Sequence, residues 1–126
     1  MVSQNKVAFD TNMLLNIARF KIDVFQETKK MFGNVEFLVP KQVMEELDRL
    51  AGEGRVLRKE VNVAKMAIEN NKVKIIENNE KNADEALKKM ASEAIIATND
   101  KALKDSVREM NGRVLYLRQR KFLEMA

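Results

Sequence analysis

The chain has 126 residues, 45% of them hydrophobic, with one proline and a net charge of +4, a size at which one domain buries roughly two thirds of its unfolded surface. It contains no cysteine and no histidine, which excludes disulfides, thiolate and imidazole metal sites, and the commonest general base. Any catalysis must therefore rest on carboxylates, hydroxyls, amides, lysine or arginine, and the dispersed positive charge permits an anionic partner without requiring one. No apolar run approaches the roughly 20 residues of a membrane span, and the N-terminus lacks a signal peptide's apolar core. A cytoplasmic protein forming a single domain over residues 1–126 is expected.

In chain order, the apolar run Val7 to Phe9 ends abruptly in Asp10-Thr11-Asn12. Helical patterns follow over Met13 to Phe20 and Asp23 to Phe32, and Gly33-Asn34 marks a stop. Val35 to Val39 reads as a second strand closed by Pro40, and Lys41 to Leu50 as a helix. Gly52-Glu53-Gly54 breaks the pattern before a longer helix from Val56 to Glu69. Val73 to Ile76 is a third strand, Glu77 to Lys81 a polar loop, and Asn82 to Ser92 a helix. Ala94 to Thr98 is a fourth strand, Lys101 to Met110 a helix, and Arg113 to Leu117 a fifth strand after Asn111-Gly112. Strands alternating with helices in this way imply an α/β fold with three layers, helices on both faces of a central parallel sheet of about five strands. The phenylalanines, Tyr116, Met44, Met66 and Met90 read as core.

In such sheets ligands bind outside the carboxyl ends of the strands. Strand one ends in Asp10 and strand four in Thr98-Asn99-Asp100, while strands two and three lead into helices carrying Glu45-Glu46 and Asp84-Glu85. At about 100° per residue, Val43, Leu47, Leu50 and Ala51 form one apolar stripe. Glu46 borders that stripe and Glu45 points away. The same count places Asp84 at the edge of the face made by Ala83, Leu87, Met90 and Ala91, with Glu85 nearly opposite. Each acid has an ordinary explanation: Asp10 and Asp100 as helix N-caps, Asp84 as a complement to a helix dipole, Glu46 as a surface charge. Four carboxylates brought to one sheet edge are not a capping pattern, because unit charges about 5 Å apart repel by roughly 3 kcal/mol at an effective dielectric of about 20. A cation or raised pKa values must relieve them, and a donor set made only of oxygen suits Mg²⁺ or Mn²⁺. An ion held there activates water and stabilises a phosphodiester leaving group.

These residues resemble the motifs of PIN-domain nucleases. Val7-Ala8-Phe9-Asp10-Thr11-Asn12 looks like the opening motif, and Val39-Pro40 with Val43-Met44-Glu45-Glu46-Leu47 is similar to the second, whose acid directly before the leucine is Glu46. Ala83-Asp84-Glu85-Ala86-Leu87 resembles the third, and Ile95 to Lys104, containing Thr98-Asn99-Asp100, the fourth. The resemblance runs from Val7 to Leu123. It implies a PIN-like α/β/α fold, an Mg²⁺- or Mn²⁺-dependent endoribonuclease, and Asp10, Glu46, Asp84 and Asp100 as catalytic and metal-holding acids. Thr11, Asn12, Thr98 and Asn99 would support them.

Two branches of the family fit, the ribosomal RNA-processing branch being the expectation and the toxin branch the alternative. The ending Val114 to Lys121 is similar to archaeal relatives of the PIN proteins that process small-subunit ribosomal RNA, which would imply a ribosome-assembly partner. The VapC-type toxins, of similar length, imply a small antitoxin as partner. Pairing through helices, as in other members, would give a homodimer. Arg55, Arg58, Lys59 and Lys65 near one helix start, and Arg113, Arg118, Arg120 and Lys121 near the end, are candidate RNA contacts or simply solvated faces. A response-regulator phospho-acceptor would need an acidic pair after strand one and an aspartate ending the middle strand, where this chain has Asp10-Thr11-Asn12 and Glu77-Asn78-Asn79. A catalytically silent PIN module that binds RNA or assists assembly is the remaining alternative.

Overall fold

The computed structural model describes residues 5–126, so the first four residues of the expected domain lie outside it. The elements, in order, are β1 (Asn5–Phe9), α1 (Thr11–Arg19), α2 (Val24–Phe32), β2 (Val35–Pro40), α3 (Lys41–Ala51), α4 (Arg55–Asn70), β3 (Lys74–Ile76), α5 (Ala83–Met90), β4 (Ile95–Ala97), α6 (Lys101–Glu109), β5 (Val114–Arg118) and β6 (Phe122–Met125). Six strands form one sheet in the order β3-β2-β1-β4-β5-β6. All neighbours pair in parallel except β5 and β6, which are antiparallel. Helices cover both faces, with α1, α3 and α4 packed together and α5 beside α6. The architecture is the three-layer α/β/α expected from the alternation of strands and helices. No helix among the described residues is long and apolar enough to cross a membrane.

The central strands are buried on both faces, so β1 and β4 read as apolar runs rather than alternations: Val7, Ala8, Phe9, Ile95, Ile96 and Ala97 are all inaccessible. Phe9 packs tilted against Phe25 of α2 with ring centroids 4.8 Å apart, and Phe37 of β2 lies 4.8 Å from Phe25 and 5.8 Å from Phe9. This trio ties α2 to the sheet, and each fully buried ring contributes on the order of 1.5–3 kcal/mol from area alone. On the helices the buried positions recur at three and four residues: Val43 and Leu47 on α3, Val61, Ala64 and Ile68 on α4.

Turn chemistry sets the element ends. Asp23 and Asn82 accept the backbone N–H groups of Gln26 and Glu85, both at 2.9 Å, and so cap α2 and α5. Gly33 at φ 75° ends α2 in a conformation that only glycine adopts without strain. At Gly112 a Cβ would meet Val107 Cγ1 at 2.7 Å, so the α6–β5 turn closes tightly only because the side chain is absent.

Three expectations require correction. The sheet has a sixth strand, β6, and its hairpin turn is made by Gln119 and Arg120 at φ 54° and 58° instead of a glycine-containing pair, so the usual turn signal is missing. Met66 is not core: it is 64% exposed, lying about 140° round α4 from Val61. Phe122 is also exposed, at 56%, on the edge strand.

Candidate active site

Adjacent β1 and β4 end side by side, and the ladder between them runs one step past the strands: the Asp10 N–H donates to the Ala97 carbonyl at 3.1 Å. That bond fixes Asp10 beside Thr98. The Met13 N–H donates to Asp10 Oδ1 at 2.7 Å, the N-cap bond of α1, and the Thr98 hydroxyl donates to Oδ2. Thr98 Oγ1 also accepts the Asp100 N–H at 3.0 Å, while Asp100 Oδ1 accepts the Leu103 N–H at 2.8 Å and caps α6. The ordinary capping role of Asp10 and Asp100 is therefore real. Each cap uses one carboxylate oxygen, leaving the other oxygen of Asp100 without a hydrogen bond in the described structure.

Asp10, Thr11, Asn12, Glu46, Ala83, Asp84 and Asp100 line one cleft of about 50 Å³ at the carboxyl end of the sheet. All four expected acids are thus brought together. Glu46 is half-buried and Glu45 exposed, as helical phase requires. On α5 the phase argument selects the right acid for the cleft, but burial does not follow it: Asp84 is exposed, whereas Glu85 is half-buried and paired with Lys88 at 3.4 Å. Arg49 lies 3.9 Å from Glu46 and 2.9 Å from Glu53.

The acids act on one another electrically. Asp10, only 7% exposed, has its carboxyl pushed up to about 6, chiefly by burial and further by the charges of Asp100 and Asp84, against the lowering effect of its bonds from Thr98 and Met13. Asp84 is also raised, first by desolvation, then by Asp100, with Glu46 and Glu85 adding to it and Lys88 opposing.

The supporting residues divide. Thr98 joins Asp10 to the Asp100 backbone, as expected of a supporting group. Asn12 is exposed and lines the cleft. Thr11 Oγ1 is buried at the cleft without a hydrogen-bond partner among the described residues. Asn99 is engaged elsewhere: its side chain donates to the Leu117 carbonyl at 2.8 Å and accepts the Leu117 N–H at 2.7 Å, mimicking a strand neighbour for β5. It ties the acid-bearing loop to β5 rather than touching the acids.

An unforeseen residue orders the third connection. Gln42, buried in the first turn of α3, donates to Asn78 Oδ1 at 2.6 Å and to the Glu80 carbonyl at 2.8 Å, and accepts from Asn78 Nδ2 at 2.9 Å. These bonds pin the loop that delivers Asp84. Nothing in the sequence distinguishes Gln42 from a surface glutamine, because its partners lie 36 and 38 residues away.

The basic candidates occupy three places, not two. Arg55 and Lys59 are exposed on α4 without a carboxylate partner among the described residues, and Arg58 Nε donates to the Ala51 carbonyl at 3.3 Å. Lys65 is paired with Asp48. Arg118 pairs with Glu124 at 3.3 Å and Arg120 lies over the Phe20 ring at 5.1 Å, both at the carboxyl end of β5. Arg113 precedes that strand and so stands at its opposite end.

The chemistry of the donor set, all oxygen, with an unpartnered buried hydroxyl beside it, fits a hard divalent cation in kind. As the side chains stand, no group of three or more acids among the described residues is arranged to hold one ion. Asp84 is exposed and Glu46 half-exposed, so rotation about their side-chain torsions is open to them, whereas the α6 cap fixes Asp100.

Comparison with known proteins agrees with this architecture. Residues 7–120 match the family described as "PIN like domain". Ribonuclease VapC4 of Methanocaldococcus jannaschii is 34% identical over 127 residues, an alignment covering 95% of each chain. The solved PIN domain endonuclease Utp24 superposes with a TM-score of 0.76 at 22% identity, covering 95% of this chain and 90% of that one. A domain of a functionally unknown M. jannaschii protein superposes at 0.64 with 18% identity, covering 90% and 91%. At those identities the two structures speak for the fold, and the family match and the 34% relative together show that this chain belongs to the PIN-like domain family.

Proposed function

We propose that the chain is an endoribonuclease, one catalytic domain in which Asp10, Glu46, Asp84 and Asp100 hold Mg²⁺ or Mn²⁺ against an RNA phosphodiester. The observation that supports this most is the arrival of four acids, from four separate connections, in one cleft at the sheet's carboxyl end. Burial first, and after it the mutual repulsion of the acids, raise the carboxyls of Asp10 and Asp84, which is the condition a cation relieves. The ion would supply Lewis-acid activation of water and offset charge on the phosphodiester oxygens. The chain's own part is positional. Thr98 and the Met13 amide hold Asp10 in one orientation, the α6 cap holds Asp100, and Gln42 holds the loop before Asp84.

The test is cleavage of a labelled, structured RNA by the purified protein in Mn²⁺, Mg²⁺ or EDTA. Cutting in either metal but not in EDTA supports the proposal. Absence of cutting by folded protein in both metals turns the reading to the silent RNA-binding module.

A second, narrower reading concerns biological role. Identity of 34% with Ribonuclease VapC4 across 95% of both chains favours a VapC-type enzyme restrained by a small protein partner. That reading expects growth arrest on expression of the wild type in a bacterial or archaeal host, and none with Asp10→Asn. The likeness to Utp24 carries the fold alone at 22% identity; ribosomal RNA as the substrate would be supported by accumulation of an uncut precursor on deletion in the source cell. A homodimer remains part of the proposal, and a monomeric mass at micromolar concentration in light scattering would remove it.

A further inference from the structure

Away from the carboxylates, the turn between α1 and α2 faces the β5–β6 hairpin turn across a cavity of about 290 Å³, and Phe20, Lys21, Arg120 and Lys121 line it. We infer that this cavity is a phosphate subsite that grips the backbone of the RNA strand near the scissile bond; the inference rests on the ribonuclease reading above and extends it to the path of the substrate.

Charge is the first support. Lys21 and Lys121 have no carboxylate partner among the described residues, and Arg120 is laid on the face of Phe20 at 5.1 Å. The two acids in the wall are already engaged: Asp23 accepts the Gln26 N–H at 2.9 Å and Glu27 pairs with Lys30 at 3.1 Å. Three cations, Lys21, Arg120 and Lys121, thus outnumber the two acids Asp23 and Glu27 in the cavity wall, and Glu27 is further offset by Lys30. A guanidinium held over the Phe20 ring keeps N–H donors that suit phosphate oxygens.

Backbone conformation is the second. Five non-glycine residues among those described have positive φ, and three of them, Lys21 at 52°, Gln119 at 54° and Arg120 at 58°, form or adjoin this cavity. Each left-handed residue with a side chain costs roughly 1–2 kcal/mol. A hairpin turn of this kind is normally built from Asn and Gly. Here it is built from Gln119 and Arg120 between Arg118 and Lys121, so the turn carries strain and presents basic side chains in place of the residues that would relax it.

Position is the third. The strands of the parallel sheet end together, and the order β1-β4-β5-β6 places the cleft at the ends of β1 and β4 and the turn at the end of β5. Two strand spacings separate the β1–β4 seam from the β5–β6 seam, roughly 10 Å across the top of the sheet. Asn99 clamps the Leu117 backbone one residue before Asp100, so the basic turn is held in register with the acidic loop. A single strand crossing the carboxyl ends of β1, β4 and β5 would meet the carboxylates first and the three cations next.

The test uses fluorescence-labelled single-stranded RNA titrated in EDTA, so that binding is read without cutting, over a series of salt concentrations. The variants are Arg120→Gly with Lys121→Ala, Lys21→Gly, and Arg113→Ala as a control at the opposite end of β5 that removes one cation, as Lys21→Gly does. Glycine is compatible with the left-handed backbone at positions 120 and 21, so these changes keep the turns while removing the cations. The subsite requires severalfold weaker binding in the first two, with the slope of log K against log salt falling by about 0.7 for each phosphate that is no longer neutralised, and wild-type behaviour in Arg113→Ala. Equal losses in all variants, unchanged binding in the first two, or no binding by the wild type at low salt would each overturn it. RNA binding that depends on these cations in a protein that never cuts would overturn the nuclease reading and leave the subsite standing.

Discussion

Thr98 donates its hydroxyl proton to the carboxylate of Asp10 across the seam between β4 and β1, and the same oxygen accepts the Asp100 N–H at 3.0 Å. One buried side chain therefore sets the orientation of one acid and the backbone position of another. Thr98→Val keeps the volume and deletes the bond, leaving the Asp10 oxygen buried and under-satisfied. The expected result is a loss of about 1–3 kcal/mol in denaturant unfolding and a fall in cleavage rate, both largely restored by Thr98→Ser.

The raised carboxyl of Asp10 makes the metal-free protein more stable in mild acid. Its value in the fold is about 6 against 3.8 in the unfolded chain, so the folded state binds the extra proton between those limits. Stability accordingly rises as pH falls from about 7 through 6 toward 4, by no more than about 3 kcal/mol at 1.36 kcal/mol per pH unit. Urea midpoints measured in EDTA from pH 4.5 to 8 check the sign. Asp10→Asn should be the more stable protein near pH 8 and show a flatter profile. Saturating Mn²⁺ should reverse the trend in the wild type, because ion binding requires the deprotonated acids.

Gln42 fills three hydrogen-bonding positions under the β3–α5 loop. Replacement by leucine deletes all three bonds and leaves the Glu80 carbonyl unpaired, while Asn78 keeps only its bonds with the Glu80 N–H and the Ile76 carbonyl. The change should destabilise the fold by about 1–3 kcal/mol. Because the loop leads directly to Asp84, Mn²⁺ affinity measured by calorimetry should fall by about 10–100-fold, the range seen when groups supporting metal ligands are removed.

The hairpin turn offers a stabilising change. Gln119 sits at φ 54°, so Gln119→Gly should raise unfolding stability by roughly 0.5–1 kcal/mol while leaving all three cations of the adjoining cavity in place. A loss of stability would mean that the Gln119 side chain makes a contribution exceeding its backbone strain.

Most of the fold was legible because local signals and global burial agree. Gly33, Gly52 and Gly54 interrupt helical runs where the chain turns, and the inaccessible β1 and β4 are uninterrupted apolar segments. Helical phase places Glu46 rather than Glu45 on the cleft side of α3, where the structure has it, since α3 packs one narrow stripe of Val43 and Leu47. The features that escaped depend on contacts distant in sequence. β6 follows a turn with no glycine or asparagine. Asn99 looks like a neighbour of the acids and instead completes β5, a role set by Leu117 eighteen residues on. Met66 belongs to a helix whose packed face is defined by α1 and α3, which leaves its own side exposed.

The most direct test of the account joins two readouts on the same samples: Mn²⁺ binding by calorimetry and single-turnover cleavage of labelled RNA, in wild type and in Asp10→Asn. If one set of carboxylates both holds the ion and cuts, the wild type binds Mn²⁺ and cleaves only in its presence, while Asp10→Asn loses affinity and at least about 100-fold in rate, on the order of 2.7 kcal/mol of transition-state stabilisation. Cleavage that survives EDTA, or an Asp10→Asn protein that cuts at the wild-type rate, would contradict it.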